Sequence, residues 1–380
     1  MKRVASIDIM RAITMFLMLM ANDAAGVTGL PDWFYHAKAN EDMMGFSDLI
    51  FPSFLFCVGL SLPFAIEGRF RKGQSTLQVL RHILVRSFAL IVMGLFSLNC
   101  GGIEGGISGQ VFKILMVMGF FMVWNVYPAA EGAKARCYEA LKILGALILF
   151  GLVVYRYAMG APIRIGWWGI LGLIGWAYLV CALVYLLCRK ALGWGLLGWL
   201  LIAGCMIAQA SGVRIFAFLP GGWTHPTLVF SGVASSMLMS KFGDSSKPGW
   251  YIGILCCGAL LMAGASALCH NFWICSKIGA TPTWAFMCIT CYLPILALLF
   301  WLCDSRGLTA WAKPLSPAGT ATLTCYLLPT VWYSVQQLLG LSYPASLYSG
   351  LPGFIKACAI AMLMILLTWL LGKVRIKLKI

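Results

Sequence analysis

The chain carries four histidines, His36, His82, His225 and His270, and His36 has distinctive company. It sits in a polar, aromatic stretch, Pro31-Asp32-Trp33-Phe34-Tyr35-His36-Ala37-Lys38, between two apolar runs. Asn22 and Asp23 close the run before it, and Asp48 opens the run after it. An imidazole near carboxylates and an amide is the residue set for moving a proton, because a carboxylate can orient the ring. Asp48 follows Ser47 at the start of an apolar run, so it suits two tasks, capping a helix and orienting His36. His225 and His270 fall near run ends on the same predicted side as His36. No H-x-x-x-H or Cys/His spacing joins the three as metal ligands, and no metal is expected.

The elements that hold these residues must be membrane helices. Of 380 residues 61% are hydrophobic and 11% charged, with a mean hydropathy of +0.89. Soluble domains are about half apolar and a quarter charged. Apolar runs of ~17–25 residues, long enough to span a bilayer, fall near 7–25, 47–66, 80–99, 111–128, 141–158, 166–187, 194–210, 225–240, 250–268, 283–303, 318–338 and 354–372. The expectation is an all-α, polytopic integral membrane protein, a single domain over 1–380 with about twelve transmembrane helices. No cleavable signal peptide is expected, since polar membrane-end residues bracket the first run and no small-x-small site follows it.

Charge fixes the expected topology. With a cytoplasmic N-terminus, the inside segments collect Lys2, Arg3, Arg69, Arg71, Lys72, Arg81, Arg86, Lys134, Arg136, Lys142, Arg189, Lys190, Lys241, Lys247, Arg306, Lys313, Lys373, Arg375, Lys377 and Lys379. The outside ends hold Lys38, Lys113, Arg156, Arg164, Arg214, Lys277 and Lys356. That bias follows the positive-inside rule and places both termini in the cytoplasm. The formal charge of +16 is therefore topology rather than a nucleic-acid footprint.

Charges within the spans are few. Asp8 and Arg11, three residues apart on one helical face, are expected to neutralise each other and lock the first helix to a neighbour. Pro52, Pro63, Pro294 and Pro329 each remove a helical hydrogen bond and can open carbonyls to a cavity. Cys288 and Cys291 fit a CxxC spacing but lie within an apolar run, so no redox role is assigned.

Ser6-Ile7-Asp8-Ile9-Met10-Arg11-Ala12 resembles the S-x-D-x-x-R-G opening of the transmembrane acyltransferase family typified by heparan-α-glucosaminide N-acetyltransferase, in its bacterial, DUF5009-like branch. Asn22 matches the Asn closing that family's first core helix. His36-Ala37 followed by Gly45-Phe46-Ser47-Asp48-Leu49-Ile50-Phe51-Pro52-Ser53-Phe54-Leu55-Phe56 resembles its H-A…G-L-x-x-x-D-L-V-F-P-x-F-x-F run. Arg86-Ser87-Phe88 and Asn99 fall on similar positions, with weaker matches at Ser276-Lys277…Trp284 and Pro317-Ala318-Gly319…Tyr326. The chain departs from the pattern at Gly109–Leu115, at Gly221–Pro226 and at Ala321. The spans near 166–187 and 194–210 read as an extra hairpin, near 160–210.

The resemblance implies transfer of an acetyl group from cytoplasmic acetyl-CoA to an amino sugar or other glycan acceptor at the outer side of a bacterial inner membrane. His36, Asn22 and Asp48 would carry the chemistry: the imidazole as base or as acetyl relay, the amide as oxyanion donor, the carboxylate orienting the ring. Arg69, Arg71, Lys72, Arg81 and Arg86 would hold the CoA phosphates, or serve topology alone. Asp23, Trp33, Asn99, His225 and His270 are candidate acceptor contacts. The lipid bilayer is an expected partner, nucleic acid is not, and a homodimer is compatible with the sequence. The alternative function is a sugar or small-solute transporter, with His36 and the carboxylates binding solute or protons.

Overall fold

In hydrocarbon every backbone N–H and C=O must be paired within its own segment, so long apolar runs fold as helices. The computed structural model describes residues 4–189, 191–213 and 219–378, and the described residues are helical with no named strand. Its principal helices are α1 (Ala5–Ala24), α2 (Phe46–Phe70), α3 (Thr76–Leu98), α4 (Gly109–Trp124), α5 (Gly132–Ala158), α6 (Gly169–Cys188) and α7 (Leu192–Ala210). They continue as α8 (Thr224–Phe242), α9 (Gly249–His270), α10 (Pro282–Leu299), a short α11 (Ser316–Thr320), α12 (Thr322–Leu338) and α13 (Gly350–Lys373).

Each of the twelve apolar runs coincides with a helix, but among the described residues nine helices are long and apolar enough to cross a membrane. The other three are α4, α8 and α12. The first and last of these have 16 and 17 residues. α8 falls short on composition, being rich in hydroxyls. Thr227, Ser231, Ser235 and Ser240 each donate to the carbonyl four residues back, so these four hydroxyls are satisfied within the helix, which buries nearly all of its length. It packs against α2 through glycines. A Cβ at Gly59 would lie 1.8 Å from the Val229 carbonyl oxygen, and one at Gly232 would lie 2.1 Å from that of Phe56. Small residues at this contact allow backbone approach, as in other membrane helix pairs.

α5 and α9 sit at the periphery and turn Ile143, Leu147, Phe150, Leu260, Leu261 and Leu268 outward. Apolar faces of that extent suit lipid and not water. The molecule is a multi-pass helical membrane protein with two unlike ends. One end, called here the histidine end, carries the α1–α2 and α9–α10 loops and the start of α13. The other, the basic end, carries the α2–α3 loop and the segment after α13. Lys2, Arg3, Lys190, Arg214 and Lys379 of the charge count lie outside the described residues.

At the basic end the last turn of α10 widens into a π-turn, Phe300–Ser305, that carries Asp304 to the head of α1. Its two oxygens accept from Ala5 N–H (2.7 Å) and Ser6 N–H (3.0 Å), which satisfies free donors at the positive end of the helix. Asp8 and Arg11 form the expected ion pair at 2.7 Å. Arg11 also donates to the Gly319 carbonyl (2.6 Å) and the Ser61 hydroxyl (3.2 Å), so the pair ties α1 to α11 and α2.

Candidate functional site

The loop before α2 is shaped by its own side chains. The Tyr35 hydroxyl donates to the Val27 carbonyl (2.6 Å) and accepts from Leu30 N–H (3.1 Å). Ser47 donates to the Phe34 carbonyl (2.7 Å). Gly45 precedes α2 where a Cβ would stand 1.9 Å from the Tyr35 carbonyl oxygen, so no side chain fits there. These contacts place His36 directly over the first turn of α2.

Asp48 performs both tasks that its position suggests. Its Oδ2 accepts from Gly45 N–H (3.1 Å) and Ala37 N–H (3.0 Å), closing half of a capping box. Its Oδ1 lies 2.7 Å from His36 Nδ1. The carboxylate is 1% exposed and the imidazole 49%. An Nδ1–H donating to Asp48 leaves Nε2 with its lone pair, and the ring is oriented by a carboxylate that the backbone itself fixes.

Lys277 completes this cluster. Its Nζ lies 3.0 Å from His36 Nδ1 and 3.5 Å from Asp48 Oδ1, so ammonium and imidazole N–H share one carboxylate. Burial lowers the Lys277 pKa from the ordinary lysine range, and the Asp48 charge works against that shift. The α9–α10 loop that carries Lys277 is stitched to the α1–α2 loop. Asp42 accepts from Cys275 N–H (2.8 Å) and pairs with His270 Nε2 (2.7 Å), while Ser276 donates to the Ala39 carbonyl (3.2 Å). In the sequence Lys277 stands out only as a motif match and as a cation on the outer side, and its contact with His36 is not visible there. Its burden of charge on the sparsely cationic side was the available signal.

Asn22 and Asp23 face elsewhere. Helical rotation at the end of α1 turns them toward α12 and α13, where Asp23 Oδ1 pairs with Lys356 Nζ at 3.1 Å. Both line a cavity of about 390 Å³ with Lys113, Tyr326, Tyr333 and Pro329. An adjoining cavity of about 280 Å³ shares Asn22, Asp23 and Tyr333 with it and adds Tyr343 and Lys356. A third, of about 320 Å³, shares Tyr326 and reaches Arg11, Arg86, Ser61 and Leu378. Through shared walls the three follow α1 and α12 from the basic end to the histidine end. His36 is in none of these three linings. The structure therefore groups His36 with Asp48 and Lys277, and Asn22 with Asp23 and Lys356.

The remaining candidates separate by role. Asn99 is buried, and its side chain is engaged by backbone: its amide donates to the Leu95 and Arg164 carbonyls (both 2.8 Å) and its Oδ1 accepts from Arg164 N–H (2.9 Å). It holds the loop after α5. The buried His225 pairs through Nδ1 with the Gly221 carbonyl (2.9 Å) and lies against Phe51. Trp33 is 61% exposed at the loop tip. The five basic residues do not form one cluster. Arg71, Lys72 and Arg81 are exposed at the basic end, and Arg69 donates to Gln74 (3.1 Å). Arg86 stands ten residues into α3, about 15 Å along its axis, stacked 4.7 Å over Tyr178 in the wall of the third cavity.

Residues 3–225 match the family described as a domain of unknown function, DUF5009. Two curated proteins named heparan-alpha-glucosaminide N-acetyltransferase are similar to part of the chain. The Mus musculus protein is 25% identical over 150 residues, 36% of this chain and 22% of that protein. The Homo sapiens protein is 30% identical over 112 residues, 30% of this chain and 16% of that protein. The matched stretches thus span less than a quarter of either relative.

Proposed function

Because the chain belongs to the DUF5009 family and is similar to two proteins named as N-acetyltransferases, we propose that it is a membrane-embedded acyltransferase. In this reading it moves an acetyl group from acetyl-CoA, supplied at the basic, cytoplasmic end, to an amino sugar or other glycan at the outer, histidine end. The observation that carries it is the His36–Asp48 pair, an oriented imidazole whose Nε2 has no hydrogen bond among the described residues. The asymmetry of the ends supports it, with cations gathered on one side and the histidine cluster on the other.

CoA is polyanionic and its head stays at the basic end, beyond which Arg11 and Arg86 border the third cavity within the helices. Its pantetheine arm is narrow enough to follow the cavities past Tyr326 toward Asn22. The acceptor nitrogen or oxygen attacks the thioester carbonyl, the C–S bond breaks, and the acceptor's proton passes to His36 Nε2 and on to the departing thiolate. Asp48 holds the ring, and Lys277 holds Asp48. An acetyl-histidine intermediate uses the same residues.

Release of CoA thiol from acetyl-CoA by purified protein with glucosamine tests the reading. His36→Ala is expected to bind CoA normally and to lose roughly 10²–10⁴-fold in rate, the contribution of a positioned base. Near-normal turnover in His36→Ala, or no thiol release with any amino sugar, would sink it.

A further inference from the structure

α7 and α9 are both fastened to α8. Trp199 Nε1 donates to the Ser231 hydroxyl (2.7 Å), and the Tyr251 hydroxyl donates to the Ser235 carbonyl (3.0 Å). Among these three helices a groove of about 870 Å³ remains, lined by Leu196 of α7, Leu238 of α8 and Ile254 and Leu261 of α9. It exists because of what α9 lacks. Gly249 and Gly253 lie in its wall about one helical turn apart, and a Cβ at either would meet nothing within 4 Å.

The groove starts at the basic end. α9 begins there, with the Tyr251 ring 4.9 Å from that of Phe300 in the π-turn. Trp194 and Trp250, near the starts of α7 and α9, are 64% and 78% exposed, which is where indoles sit at a membrane–water boundary. From Gly249 to Leu261 the wall runs about 18 Å along α9. The hydrocarbon of one leaflet is about 15 Å deep. Charge is set at the same end. Lys247 lines the mouth, and Lys241 stands one turn beyond Leu238 on the same face of α8. Asp244, between the two lysines, accepts from the N–H (2.9 Å) and hydroxyl (2.7 Å) of Ser246 and shapes the turn. Two lysines against one aspartate leave this turn with a single net positive charge.

We propose that this groove binds one phospholipid with a net-negative headgroup, in the leaflet at the basic end. Its phosphate rests on Lys247, and an acyl chain runs along Gly249, Gly253 and Leu261. A convex helix face touches a lipid from one side only, whereas a recess walled by three helices contacts a chain on several sides. The apolar wall matches the chain, and a cationic rim between helices matches an anionic head. The site is independent of the acyl-transfer reading, and it shares no wall with the three cavities that follow α1 and α12.

Native mass spectrometry of the detergent-purified full chain, offered equal amounts of phosphatidylglycerol and phosphatidylcholine, tests it. The first lipid retained is expected to be phosphatidylglycerol by roughly fivefold, the effect of one net positive charge beside an anionic head. Gly253→Leu points a side chain into the groove with no protein atom within 4 Å of its Cβ, and leucine favours the helix. This variant is expected to keep its elution profile and lose the lipid. Gly249→Leu fills the same groove and decides if Gly253→Leu does not fold. Lys247→Gln is expected to retain a lipid and lose most of the headgroup preference. Equal retention of the two lipids by the wild type, or wild-type retention in both filled variants, overturns the proposal. So does a wild-type dimer that both filled variants turn into monomer with lipid retention unchanged, since the groove would then seat a second copy of the chain.

Discussion

Two histidine–aspartate pairs stand at the same end of the molecule, each with a nitrogen–oxygen separation of 2.7 Å. Distance alone would give them the same role, and their surroundings do not. Asp48 is 1% exposed and held by two backbone N–H groups at the head of α2, so it directs the ring of His36. Asp42 is 43% exposed, lies on a loop, and divides its oxygens between His270 and Cys275 N–H. The first pair orients an imidazole beside a lysine. The second fastens two loops together. Burial and the anchoring of the carboxylate separate a group set up for chemistry from a latch.

The strongest way to break this contrast is at Asp48. In Asp48→Asn a single carbonyl oxygen must serve both the backbone donors and the His36 Nδ1–H, and the amide adds a competing donor. Thiol release from acetyl-CoA is expected to fall by about 10–100-fold, as for other groups that orient a reacting ligand. The same substitution at Asp42 should leave the rate close to wild type. Equal losses in the two variants would show that the pairs share one role.

Lys277 gives the next effect. Lys277→Met leaves Asp48 with its backbone donors and His36 but without the ammonium, and a rate loss smaller than that of Asp48→Asn is expected. The pH profile carries more information. A base whose pKa is lowered stays charged below that value and is neutralised as pH rises through it, so the Lys277 contribution disappears at lower pH than an ordinary lysine's would. Lys277→Arg, whose guanidinium stays charged, should retain activity and remove this alkaline limb. An unchanged limb in the Arg variant would assign it to another group.

What the sequence revealed follows from how far apart the interacting residues lie. Apolar run length gave the helices, because the bilayer forces backbone pairing within each run. The His36–Asp48 pair was legible because both belong to one loop and the helix turn that follows it. Proximity in sequence puts Asn22 and Asp23 beside His36, but α1 turns them to cavities along α12 and α13 whose walls do not include His36. Lys277, Lys356 and Asp304 reach their partners from distant segments, which no local spacing announces. The charge rule did mark two of them indirectly. Lys277 and Lys356 are among the few cations on the histidine side, and each is held against a carboxylate.

The smallest expected effect belongs to the latch. Asp42 has a pKa lowered first by the Cys275 N–H and then by His270. A carboxylate with a depressed folded-state pKa contributes stability above its unfolded value and loses it as pH falls through the folded value. The junction between the α1–α2 and α9–α10 loops should therefore stay closed at neutral pH and open only in acid, below the ordinary aspartate range. His270→Ala removes one of the two contacts of Asp42 and leaves its bond from Cys275 N–H and the Ser276–Ala39 bond, so the rate should change by no more than a few-fold, as exposed ion pairs contribute little. Amide hydrogen exchange should be faster across residues 36–45 and 271–281 in this variant, with no change in the core of α2. A rate loss matching that of His36→Ala would move the chemistry to the exposed pair and reverse the contrast.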